Sequence, residues 1–108
     1  MILVTTETIE GTRLEMLGLV KGSTIQTVNV ARDIGASLKT LVGGELTRYK
    51  EMLDDARALA TKRMVEQAQN MGADAIVCVR YASSSVTQNA AEVIAYGTAV
   101  RCEFTERQ

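Results

Sequence analysis

Histidine and proline are both missing from the 108 residues. Without histidine there is no His-based triad, no His general base, no His metal ligand and no His pH switch. Without proline, every turn relies on Gly, Asn, Asp or Ser. Aromatic residues are scarce: Tyr49, Tyr81, Tyr96 and Phe104 are too few for a base-stacking platform. An excess of charge is lacking too, since 12 basic against 13 acidic residues give a net −1. Nothing there neutralises many phosphates, so nucleic acid is excluded as the expected partner. No apolar run reaches the roughly 18 residues of a membrane helix, so no membrane is expected. Met1-Ile2-Leu3-Val4-Thr5-Thr6 has no charged stretch ahead of an apolar one, and no secretory leader is read. The expected compartment is the cytoplasm, with the only two cysteines, Cys78 and Cys102, as reduced thiols.

What is present is an ordinary globular mixture, 46% hydrophobic and 23% charged. The length predicts one domain over residues 1–108. Residues 2–5 read as a short strand, followed by a turn at Glu10-Gly11-Thr12. Residues 13–30 read as two strands joined at Lys21-Gly22-Ser23, because Gly-Ser is a hairpin dipeptide. In the first arm Leu14, Met16 and Val20 point one way, and Leu17 and Leu19 the other. A short helix over Ala31–Leu41 is predicted from Ile34, Leu38 and Leu41, with Gly43-Gly44 as its stop.

The strongest signal runs from Leu46 to Met71. Leu46, Tyr49, Leu53, Ala56, Ala60, Met64, Ala68 and Met71 recur at steps of three or four and share one helix face. Lys50, Glu51, Asp54, Asp55, Lys62, Glu66 and Gln69 occupy the opposite face, with Lys50–Asp54 and Lys62–Glu66 spaced for ion pairing. Gly72 is placed as a left-handed stop. Asp74–Tyr81 then reads as a strand, Ser83 to Asn89 as a polar loop, and Glu92–Phe104 as a last strand in which Gly97 marks a bulge or a close backbone approach.

The expected fold is therefore α+β, with a mostly antiparallel sheet, one long and one short helix, and the order βββααββ along the chain. One helix covers one face of a sheet, yet the strands are apolar on both faces: Leu14/Met16 against Leu17/Leu19, and Ile76/Cys78 against Val77/Val79. The second face needs a cover, and self-association into a closed homo-oligomer is the economical one; the alternative is a twisted sheet that curls into a half-barrel and buries its own inner face.

The run Leu41-Val42-Gly43-Gly44-Glu45-Leu46, the helix containing Ala56-Arg57 and Arg63-Met64, and the segment Met71-Gly72-Ala73-Asp74-Ala75-Ile76-Val77 form an ordered set. Val79-Arg80-Tyr81, Glu92 through Val100, Asp33-Ile34-Gly35-Ala36 and Thr5-Thr6 complete it. Together, over nearly the whole chain, these motifs resemble the YbjQ-like family, UPF0145, which also carries a heavy-metal-binding label. The resemblance implies α+β subunits assembled into rings, with five copies as the expected number. It also implies glycine at the position of Cys78 in relatives.

The chemistry is sparse. Cys78 and Cys102 are the only thiolates that could take a soft metal ion, and they do not form a C-x-x-C. The reading beside it is that of two small hydrophobes in strands. Gly43-Gly44 has neither a P-loop lysine nor a dinucleotide fingerprint, and reads as a turn. Asp54-Asp55 diverge by about 100° on a helix and read as solvated. The serines have no base. Arg80 and Glu92 are charges set within apolar strands, suited either to pairing across the hairpin or between subunits, or to an active carboxylate at Glu92. No catalytic motif emerges, so the protein reads as a non-enzymatic binding or scaffold module without a cofactor. A soft heavy metal ion is the alternative. The residues expected to bind the module's unknown ligand, between subunits, are Asp33, Glu45, Arg80, Glu92 and Tyr96, and those expected for the metal are Cys78 and Cys102.

Overall fold

The computed structural model describes residues 1–27, 44–87 and 90–104, with side chains in 1–25, 50–84 and 91–104. Four strands and one helix fill the described residues: β1 (Ile2–Leu3), β2 (Thr12–Thr27), α1 (Gly44–Asn70), β3 (Ala75–Thr87) and β4 (Ala90–Phe104). They form one mixed sheet in the order β1-β3-β4-β2. β2 and β3 both run antiparallel to β4, while β1 lies parallel to β3 with Ile2 beside Ala75 and Leu3 beside Ile76.

The parallel β1–β3 pair corrects the expected mostly antiparallel sheet, and the single strand β2 corrects the three strands that open the expected βββααββ order. The short helix over Ala31–Leu41 lies outside the described residues, and α1 is the one helix among them. The hairpin expected within 13–30 is not formed at Lys21-Gly22-Ser23, which is the middle of one 16-residue strand ending at Thr27; residues 28–30 lie outside the described residues. Gly22 is there for another reason. A Cβ at Gly22 would overlap the Ala60 carbonyl oxygen and the Met64 amide nitrogen, so the helix backbone rests directly on the strand. The glycine serves contact, not turning.

The alternation expected along β2 is also corrected. Register shifts between Met16 and Gly18, where Gly18 has φ +142°. A bulge inserts one residue and reverses which face the following side chains take. Leu14 and Met16 therefore share a face with Leu19, while Val20 turns toward the helix. The polar loop expected over Ser83–Asn89 is shorter than the sequence implies, because β3 continues to Thr87 and β4 starts at Ala90.

α1 follows its periodicity. Ala56, Ala60, Met64 and Ala68 are fully buried against Val20, Ile76, Val79, Val93, Ala95 and Ala99 of the sheet. Three alanines in that stripe let the helix axis come close, and Met64 fills the remaining volume. Gly72 ends the helix at φ +78°. Its N–H bonds the Gln69 carbonyl at 3.0 Å, and the Ala73 N–H bonds that of Ala68 at 3.0 Å, the paired bonds of a Schellman stop. On the exposed face Asp54 pairs with Arg57 rather than with Lys50.

On the face away from the helix, Ala75, Val77 and Val100 form a second small core covered by Val4, Ile9, Leu14, Cys78 and Cys102. That cover ends with the N-terminal segment. Beyond it Met16, Leu19, Tyr96 and Ile25 stand exposed, Leu19 at 68%, and at the opposite end of β4 Phe104 is exposed at 67%.

Candidate functional site

β4 carries three of the expected site residues, Glu92, Tyr96 and Cys102. Its even-numbered residues face away from the helix, and Tyr96 sits between Lys21 on β2 and Arg80 on β3. Two residues on, Ile94 lies between Ser23 and Ala82; two further on, Glu92 lies between Ile25 and Ser84. Arg80 and Tyr96 are thus brought side by side on the open face. Glu92 is four residues along, about 13 Å at the rise of a strand. The pairing expected between Arg80 and Glu92 is not made within one chain. Instead Arg80 Nη1 donates to the carbonyls of Thr5 at 3.0 Å and Val79 at 2.9 Å, pinning the N-terminal segment to β3. Tyr96 remains 39% exposed and Glu92 half-buried. Glu45 lies in the first turn of α1, and its side chain is outside the described residues, as is Asp33 altogether.

Cys78 and Cys102 both border the second core, on different strands. Ala75 pairs with Val100, so Cys102 lies level with the residue before Asp74. Cys78 is five positions further along, about 16 Å at strand rise. Two thiolates on one metal ion stand roughly 4 Å apart, given metal–sulfur bonds near 2.3 Å. One chain therefore does not place both sulfurs on a single ion. Among the described residues no three His, Cys, Asp or Glu gather in a metal-holding group. Burial and the neighbouring Asp74 carboxylate push the Cys102 thiol above its ordinary value, the opposite of what a ready metal ligand needs. The Asp74 side chain itself accepts the Cys102 backbone N–H at 2.9 Å.

One feature escaped the sequence reading. Arg13-Leu14-Glu15 on β2 and Arg101-Cys102-Glu103 on β4 pair antiparallel, which sets each arginine opposite a glutamate. Arg13 meets Glu103 at 2.7 Å and Arg101 approaches Glu15 at 3.8 Å. With Asp74 these residues line an open cavity of about 460 Å³. The repeated Arg-x-Glu was the available signal. Its pairs are mostly exposed and worth at most about 1 kcal/mol each, so they steady the strand ends more than they build a binding site.

Comparison with known proteins follows the same lines. A family model described as "Putative heavy-metal-binding" matches residues 1–103. A UPF0145 protein of Clostridium novyi is 58% identical over 101 residues, covering 94% of this chain and 98% of the relative. One from Clostridioides difficile is 57% identical over 104 residues, covering 95% and 93%. An archaeal one, from Methanosarcina acetivorans, is 52% identical over 102 residues, covering 94% and 96%. A crystal structure of a protein of unknown function from Pediococcus pentosaceus, of the DUF74 family, superposes with a TM-score of 0.69 over 95% of this chain and 98% of its own. At 17% identity that likeness speaks for the fold alone.

Proposed function

From the premise that the chain belongs to the YbjQ-like family, UPF0145, we propose that it is a non-enzymatic homo-oligomeric binding or scaffold module. Its copies cover one another's open sheet face. The observation that carries this reading is the exposure of Met16, Leu19, Tyr96 and Ile25 in succession along the face opposite the helix. Large exposed apolar patches on soluble proteins mark interaction surfaces. A closed ring satisfies every copy with the same contact. Five is the copy number that the family resemblance implies. Ligand contacts fall where the copies meet, on Arg80, Tyr96 and Glu92, with Glu45 of α1 as a further candidate; Asp33, the remaining candidate, lies outside the described residues.

Among the described residues no three His, Cys, Asp or Glu gather into a donor set for the metal that the family model's label names. No described side chain shows the pairing of nucleophile and base that an enzyme needs.

The test is the mass in solution. Light scattering behind size exclusion is expected to give several copies for the native protein and a single chain for Leu19→Arg, with the circular dichroism of both unchanged. Native protein of one-chain mass at micromolar concentration overturns the reading.

A further inference from the structure

β3 carries one residue too many for β4. Val77 pairs with Thr98 and Arg80 with Tyr96, so Cys78 and Val79 together oppose Gly97. Cys78 takes up the extra length in the left-handed region, at φ 56°. A bulge of two residues against one takes backbone groups out of the ladder. Here those groups find partners on the other side of β3. The Cys78 N–H donates to the Thr6 carbonyl and the Val79 N–H to the Val4 carbonyl, each at 3.0 Å.

The N-terminal segment is fitted to the slip. In a regular parallel pair a residue bonds partners two apart on the neighbouring strand. Val4 instead spans three: its N–H donates to the Ile76 carbonyl at 3.0 Å, and its carbonyl accepts from Val79. The extra residue, Cys78, sits between them. The segment therefore matches β3 only while Cys78 is held in its left-handed conformation.

A side chain takes the carbonyl between Val4 and Thr6. Arg80 Nη1 donates to the Thr5 carbonyl at 3.0 Å and to that of Val79 at 2.9 Å, clasping segment and strand together. Three consecutive carbonyls, Val4 to Thr6, are thus held by three consecutive residues of β3, Cys78 to Arg80. The charged donor makes the strongest bond of the set. Little else ties the segment down. Met1, Ile2 and Leu3 are exposed, as are Thr5 to Thr8, and Val4 is half-buried. Few buried apolar contacts and solvent-facing backbone bonds place a segment at the low end of local stability. The turn behind it has bonds of its own, since Thr12 N–H and Thr12 Oγ1 both donate to the Ile9 carbonyl, at 3.2 and 2.7 Å. Residues 1–8 can leave β3 while that turn stays.

We propose that the N-terminal segment is a strap, latched by Arg80 and coupled to the register slip at Cys78, that opens as one unit and bares the Cys78 thiol. Opening frees the Cys78 and Val79 amides together and lifts Val4 from the second core of Ala75, Val77 and Val100. It also removes the bond that holds Cys78 in a strained conformation, so strain in the closed state favours release.

Amide hydrogen exchange and thiol alkylation on the full chain test it. Arg80→Gln is expected to speed exchange at the Cys78 and Val79 amides and iodoacetamide reaction at Cys78 together, on the order of tenfold. The Ala99 and Val100 amides of the central ladder and the Cys102 thiol are expected to keep their native rates. Arg80→Lys, whose ammonium still reaches a carbonyl, is expected to fall between. Native rates at Cys78 and Val79 in Arg80→Gln overturn the latch. Amides that speed up without the thiol, or a rise shared equally by the ladder amides, overturn the strap as a unit. The mass in solution, which decides the oligomeric reading, does not enter this test.

Discussion

Cys78 is the one described non-glycine residue with a positive φ, at 56°. It sits where β3 slips register between Val77 and Arg80, directly across from Gly97. Gly97 allows that slip, because a Cβ there would come within 2.7 Å of Ile76 Cγ2 and 2.9 Å of the Val77 carbonyl oxygen. An L-residue in the left-handed region costs about 1–2 kcal/mol, and a β-branched one more. The glycine that the family resemblance implies at this position is the relaxed residue. Cys78→Gly is expected to be neutral or to stabilise by up to about 1 kcal/mol, and Cys78→Val to destabilise by about 2 kcal/mol. Urea unfolding measures both, and a Val variant as stable as the parent contradicts the strain. Cys102 carries a different prediction. Burial, then the Asp74 carboxylate, favour its neutral thiol and raise its pKa above the ordinary 9.0. The folded chain holds this proton at a pH where the unfolded chain has released it. Stability linked to the group is therefore complete below the ordinary thiol range and declines as pH rises through it. Alkylation of Cys102 by iodoacetamide near pH 8.5 is expected to run slower than in the unfolded chain, and faster in Asp74→Asn than in the native protein. Equal rates in the variant and the native protein remove Asp74 as a cause.

At the scale of elements, the long helix was legible because its signal is local. Apolar residues every three or four positions and a glycine at the end specify a helix and its stop without reference to anything else. β2 was not legible as one strand, because Lys21-Gly22-Ser23 has the chemistry of a turn and only the helix backbone above Gly22 explains it. Gly22→Ala forces a methyl against the Ala60 and Met64 backbone and is expected to destabilise by about 2–3 kcal/mol. Thermal and urea unfolding check this, and an unchanged midpoint means that the helix does not rest there. The parallel β1–β3 pair was equally hidden, since its two halves are separated by the whole of β2 and α1. The bulge at Met16/Gly18 is a one-residue event that periodicity in a strand of mixed residues does not reveal.

At the scale of the molecule, the chain measures 62 × 24 × 16 Å with a radius of gyration of 17.8 Å. A self-contained domain of this length has a radius near 13 Å. The excess goes with strands of 13 to 16 residues and a helix of 27, an elongated shape that suits the association proposed above. Association stabilises by mass action, so the unfolding temperature is expected to rise with protein concentration, by a few degrees per tenfold. Calorimetry over a hundredfold range reads it, and a constant midpoint speaks for a subunit that stands alone.

The sequence by itself determined the helix and its stop, the apolar character of both sheet faces, the absence of histidine chemistry and the family, because each is written in residue type and short-range spacing. Tertiary structure alone decided that Gly22 is a contact rather than a turn, that β1 joins β3, that Arg80 lies beside Tyr96 but four residues from Glu92, and that the thiols stand apart. Those are facts of strand register, and register depends on pairing between residues distant in the chain.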